Sequence, residues 1–145
     1  MGMELGYLPP FDEMSRAMLA VQEARFKKTG TVTIVSEDAL EVPPWYFYYY
    51  SAYSEGETFV VRAHGPVTNG PRWVSAKAAF AWHALYPSSY IWKAVNRVLP
   101  ARHPNGWASG VFERNGRTTG VRNLNTAAVI IEAALYRKLG RPILS

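Results

Sequence analysis

The chain has 145 residues, 48% of them apolar and 19% charged, the make-up of one globular domain rather than a disordered chain. A domain of this length buries roughly 70% of its unfolded-state surface, so it can build a core without staples, and with no cysteine it has no disulfide, thiol nucleophile or thiolate zinc site. The net charge of +5 is unevenly placed: residues 1–71 carry 5 Lys/Arg against 9 Asp/Glu, and residues 72–145 carry 11 against 2. Either the two faces complement each other within one domain, or the second half offers a basic patch to an anionic polymer.

No apolar run approaches the ~20 residues of a spanning helix, so no membrane span is expected, and Met1 to Pro10 lack the order of a signal peptide. The residues alone assign no compartment. From Phe11 to Lys28 the spacing of Phe11, Met14, Met18 and Val21 predicts a first helix, with Asp12 and Glu13 in its first turn and Gly30 past its end. Thr31 to Val35 reads as a short strand, and Ser36-Glu37-Asp38 as an acidic loop.

After Pro43-Pro44, the aromatic run from Trp45 to Tyr53, the turn Ser54-Glu55-Gly56-Glu57 and the return from Thr58 to Ala63 predict a hairpin. Its bulky groups lie on both faces, which implies either two covered faces or an exposed aromatic shelf. Ser75 is placed to cap a helix from Ala76 to Tyr86, whose Ala79, Phe80, Trp82 and Leu85 predict burial all round. Ser88 or Ser89 caps the next helix, carried by Ile91, Trp92, Val95, Val98 and Leu99 and stopped by Pro100. From Ala101 to Asn123 four glycines surround Trp107, Phe112 and Glu113, too irregular for a long element. A last helix is predicted from Ala127 to Leu139, capped by Asn125 or Thr126 and closed by Gly140.

Carboxylates are the groups to test for glycosidic chemistry, which needs an acid and a base or nucleophile at a fixed separation. Glu37, Asp38, Glu113 and Glu132 are the candidates. Glu132 interrupts an apolar helix, as a buried bonded group or as that helix's solvated position. Glu113, beside Trp107 and Phe112, either faces a sugar or pairs with Arg114 or Arg117. His64, His83 and His103 are scattered without metal-ligand spacing, so no metal site is expected. Nucleotide-binding and nucleophile-elbow motifs are missing, no cofactor is expected, and the basic half lacks a nucleic-acid module signature.

Ser75-x-Lys77-Ala78-Ala79-Phe80-x-Trp82-His83-Ala84-Leu85, then Gly106-Trp107-x-x-Gly110-x-Phe112-Glu113, Leu124-Asn125-Thr126 and Glu132-Ala133-x-Leu135-Tyr136-Arg137 follow one another in an order that resembles the C-terminal part of the bacterial domain of unknown function 3131. Gly6-Tyr7-x-Pro9-Pro10, Val21-Gln22-Glu23-x-Arg25, Ser36-Glu37-Asp38 and Pro43-Pro44 are similar too, so the resemblance covers nearly the whole chain. It implies an α/α toroid of the glucoamylase-like kind, envelope or periplasmic polysaccharide as the setting, and a chain that holds only the last portion of the toroid. Asn125-Thr126-Ala127 departs from the family's Asn-Thr-Asn, and Ala108 and Phe112 stand where tyrosines are usual, each change removing a polar group from a sugar contact.

The fold expected is thus α+β, mainly α, in a single domain of about four helices and an aromatic hairpin. The expected role is a carbohydrate-binding or carbohydrate-processing module, with Glu113, Asp38 and Glu37 as catalytic candidates and Trp107, Asn125 and Phe112 as sugar contacts. The alternative is a non-catalytic module that completes a toroid with another chain, or with a second copy of itself; a glycoside hydrolase-like fragment is the enzymatic version. The glycine-rich loop, the acidic corner and the start of the last helix are expected to converge on one cleft.

Overall fold

In the computed structural model, residues 1–43 and 71–145 are described in full, and between them the backbone of four strands, 46–47, 49–54, 57–62 and 65–67. The architecture is α+β and mainly helical, with short antiparallel strand pairs set, among the described residues, between five helices.

A short helix α1 (Gly2–Leu5) is tied to the far end of the chain by Ile143 N donating to Met3 O at 2.9 Å and Leu144 N to Glu4 O at 2.9 Å. Helix α2 (Phe11–Thr29) ends at Gly30, whose φ of 72° lets its N–H reach Phe26 O, a left-handed stop that glycine adopts without penalty. Its orientation differs from the expectation. Phe11, Met14 and Met18 face outward, and the inward stripe is Ser15, Leu19, Gln22 and Phe26. Two polar residues go inside because each has a partner there: Ser15 Oγ donates to Tyr7 Oη at 3.1 Å, and Gln22 Oε1 accepts from Val35 N at 2.9 Å.

Residues 31–35 do not form the expected strand. Their backbone is satisfied by side chains and by one single contact instead of a ladder: Thr33 N donates to Tyr90 Oη, Tyr90 Oη donates to Thr33 O, and Ser75 N donates to Ile34 O at 2.7 Å. The acidic corner is the expected loop at Ser36 and Glu37, with Glu37 exposed, but not at Asp38. Asp38 begins a two-residue strand β1 (Asp38–Ala39) paired with β2 (Tyr46–Phe47), and it is buried.

The hairpin is present as β3 (Tyr49–Ser54) and β4 (Glu57–Arg62), extended by β5 (Gly65–Val67) into a three-stranded antiparallel sheet. Tyr49 pairs with Val61 and Ser54 with Glu57, with a register shift between Tyr50 and Tyr53. The covering of its faces, and Trp45 and His64, lie outside the described residues.

Strand β6 (Trp73–Ser75) pairs with β9 (Gly110–Phe112), and all six residues are buried. Gly110 is required there: a Cβ would stand 1.9 Å from Val74 O. Ser75 passes directly into α3 (Ala76–Leu85), accepting from Ala78 N as its cap, and no residue of α3 is exposed. Helix α4 (Ser89–Val98), capped by Ser88, turns Tyr90, Ile91, Ala94, Val95 and Val98 inward and leaves Trp92 outside, stacked on His83 at 4.7 Å. Short strands β7 (Arg102–His103) and β8 (Gly106–Trp107) pair in the glycine-rich stretch.

Helix α5 (Leu124–Leu139) starts three residues earlier than expected. Its cap is Asn123, whose Oδ1 accepts from Thr126 N at 2.8 Å, so Asn125 lies in the first turn with its side chain released for another contact. Helix α3 packs against both α4 and α5. The main core joins Ile34, Val74, Ile91, Val98, Val111 and Ile130, with Ala76, Ala79 and Ala94 keeping the packed surfaces low. Each large member contributes about 1.5–3 kcal/mol by leaving water. Ile131 is 68% exposed, because Thr126, Ile130 and Ala133 form the stripe of α5 that turns inward.

Candidate functional site

A lysine on a helix without a polar face needs a partner, since an unpaired buried ammonium is costly. Lys77, in the first turn of α3, is 7% exposed. Its Nζ donates to Asn125 Oδ1 of α5 at 2.6 Å and stands 3.6 Å from Asp38 Oδ1 of β1, so three elements meet at one ammonium. Asp38 is fixed from its other oxygen, Oδ2, by Trp73 Nε1 at 2.9 Å. Burial pushes the Asp38 carboxyl from its ordinary 3.8 up to about 6, with Lys77 and then Trp73 pulling it partway back.

Above this cluster lies a hollow of about 350 Å3, bordered by Tyr7, Glu37, Lys77, Trp82 and Asn125 over an apolar floor that includes Ala78 and Val129. Tyr7 and Trp82 are both held against Tyr86: Tyr7 stacks on it at 6.3 Å and 4°, Trp82 at 5.9 Å and 29°. The Tyr86 hydroxyl donates to Asp12 Oδ1 at 2.5 Å, and the Arg16 guanidinium covers its ring at 4.4 Å, which ties the aromatic wall to α2. The arrangement offers two aromatic rings, an exposed carboxylate at Glu37, an ammonium and an amide around one concave surface.

The sequence-expected residues are divided between places. Glu37 and Asn125 line this hollow and Asp38 supports it through Lys77. Glu113 and Phe112 line a different hollow, one that shares no residue with the first. Glu113 pairs with neither Arg114 nor Arg117 there. Arg25 of α2 holds it by a fork, Nη1 to Oε1 at 2.9 Å and Nη2 to Oε2 at 3.1 Å, with both side chains nearly buried. Phe112 is buried under the Arg117 guanidinium.

Trp107 lines neither hollow; it packs edge-on against Phe80, ring centres 5.1 Å apart at 72°, beside the main core. Glu132 is half-buried on α5, with Oε1 unbonded and its carboxyl raised by burial and by the nearby Glu4. The expected single cleft therefore resolves into two sites and one packing residue.

Lys77, Tyr7 and Trp82 were missed as site residues. The signal for Lys77 was its place on a helix of alanines and aromatics; nothing in the local sequence marks Tyr7, which comes to the hollow only because α1 docks on α3 and α5. Among the described residues no cluster of three His, Asp or Glu side chains could hold a metal, and no helix is long and apolar enough to cross a membrane. No curated protein and no solved structure matches the chain. The order of motifs that ends in Lys77, Glu113 and Asn125 does have a family counterpart: over residues 1–140 the chain matches the model described as "Protein of unknown function (DUF3131)", and it belongs to that family.

Proposed function

We propose that the chain binds a polysaccharide, or helps to process one, through the hollow between Tyr7 and Trp82. The observation that carries this reading is that two aromatic side chains border the same concavity as Glu37, Lys77 and Asn125. A pyranose has apolar C–H faces and a rim of hydroxyls, so it needs an aromatic platform flanked by both donors and acceptors. Lys77 donates, Glu37 accepts, and Asn125 does both. In a processing role Glu37 is the carboxylate with access to a bound sugar, and Asp38 acts by holding Lys77 in place. The helices then supply the last portion of an α/α toroid.

Titration with soluble oligosaccharides tests the reading. The wild type is expected to bind, Asn125→Ala and Glu37→Gln to bind more weakly, and Trp82→Ala to lose about ten- to thirty-fold, the worth of one aromatic platform. Binding unaffected by all three substitutions, or no binding of any glycan by the wild type, would sink it.

The second reading, a module that completes a toroid with another chain or a second copy, is favoured by one observation. The outer face of α5 leaves Leu124 84% and Ile131 68% exposed beside Leu144, around a shallow apolar hollow of about 530 Å3. Light scattering checks it, since a monomer at high concentration with no dye-accessible apolar surface speaks against assembly.

A further inference from the structure

The hollow that holds Glu113 has a volume of about 700 Å3 and is walled, among the described residues, by Arg25, Arg72, Arg114 and Arg117 beside the Glu113 carboxylate. That carboxylate is already engaged. Arg25 takes both of its oxygens through the forked pair, so the charge of Glu113 is offset by that of Arg25. Arg117 is held in place from two sides, by Glu41 at 2.9 Å and by the Phe112 ring at 4.9 Å from its guanidinium carbon. Arg97 adds a fifth guanidinium at the adjoining hollow of about 290 Å3, its Nη2 donating to Glu113 O at 3.3 Å. The Arg72 main chain is fixed beside Glu113, its carbonyl accepting from Glu113 N at 2.9 Å.

Set against Glu113 and Glu41, the five guanidinium groups leave the hollow net positive, with an apolar patch from Phe112, Val42 and Pro71. Gathering like charges around one mouth costs electrostatic energy that a bound anion removes. Guanidinium groups are planar forks that match the oxygens of carboxylates and phosphates, and a fork already fixed by Glu41 and Phe112 loses little freedom on binding. A cation is repelled, and a neutral hydroxyl exploits only part of the donor set. We propose that this arginine-walled hollow is an oxyanion site that takes a carboxylate or phosphate group carried by a ligand with an apolar or sugar body. This proposal stands on the arginine geometry alone and does not depend on the Tyr7–Trp82 hollow.

Calorimetric titration of the full chain with tetragalacturonate, with inorganic phosphate and with neutral maltotetraose tests it and separates the two sources of anion. At least one anionic probe is expected to bind, and the one that binds identifies the group. Raising the salt concentration should weaken that binding, as screening acts on exposed guanidinium groups. Arg114→Gln should weaken it about tenfold, the scale of one charged hydrogen bond, and Arg72→Gln combined with Arg114→Gln should weaken it further. Arg114 is exposed, so the single variant, checked by thermal melting, decides the matter if the double variant fails to fold. Any affinity for maltotetraose should be unchanged in Arg114→Gln. The proposal is overturned if neither anion binds, if the bound anion is indifferent to Arg114→Gln, or if only a single-stranded oligonucleotide binds and neither small anion does.

Discussion

Replacing Asp38 by asparagine sets burial against ion pairing at the floor of the Tyr7–Trp82 hollow. Burial raises this carboxyl from 3.8 to about 6, while the Lys77 ammonium and the Trp73 indole oppose the rise. An acid whose pKa is raised by folding holds its proton more tightly folded than unfolded, so protonation stabilises the fold. That contribution is fully present below the unfolded value of 3.8 and is lost as the pH climbs through about 6. Two pH units, at about 1.4 kcal/mol each, amount to about 3 kcal/mol. Asparagine does not ionise, keeps the shape of the side chain and can still accept from the Trp73 indole. Urea unfolding of both proteins between about pH 4 and about pH 8 should show Asp38→Asn gaining about 3 kcal/mol on the wild type as pH rises. Asp12 and Glu41, whose carboxyls are lowered by their partners, titrate in both proteins and cancel in the difference. A flat difference, or one that moves against the asparagine variant with rising pH, would mean that Lys77 outweighs burial and would refute the reasoning.

Two further substitutions separate packing from binding. Trp107→Ala removes the ring that meets Phe80 edge-on and should cost about 3 kcal/mol in thermal melts while leaving oligosaccharide affinity unchanged; a stable variant with lost binding would return Trp107 to the sugar site. Gly110→Ala puts a Cβ 1.9 Å from Val74 O and must push β6 and β9 apart, so its melting temperature should fall by about 10 °C or more, and a melt like the wild type would show that the two strands can separate.

What the sequence made legible was local. Helix ends announced themselves through Gly30, Ser75, Ser88 and Gly140, because capping depends on one residue and its nearest backbone neighbours. The turn residues likewise placed the hairpin of β3 and β4. The inward side of α2 was not legible, since Ser15 and Gln22 are buried by partners at Tyr7 and Val35 that come from other segments. Residues 31–35 misled for the same reason: β-branched composition favours extended backbone, but a ladder needs a neighbouring strand, and here Tyr90 and Gln22 fill that place. Of the candidate site, Glu37, Asp38 and Asn125 could be named from sequence, whereas their convergence on Lys77, and the departure of Glu113 to Arg25, are tertiary facts with sequence separations of 48 and 88 residues.

The charge imbalance along the chain has a structural use that follows from these pairs. Glu41 of the acidic half meets Arg117 of the basic half, and Asp38 meets Lys77, so two of the acidic residues of the first half clamp segments of the second. Arg25 and Glu113 run the other way and are joined by two parallel hydrogen bonds. Complementary faces within one domain are thus part of the answer. Residues 72–145 carry 11 Lys/Arg against 2 Asp/Glu, and the pairs to Asp38 and Glu41 engage only Lys77 and Arg117 of them. The basic groups are not evenly spread: Arg72, Arg97 and Arg114 lie around the two adjoining hollows that Glu113 borders. Internal complementarity and the anion site proposed above are therefore not rival explanations of the same charges, because the first rests on the pairs that Lys77 and Arg117 make and the second turns on Arg114.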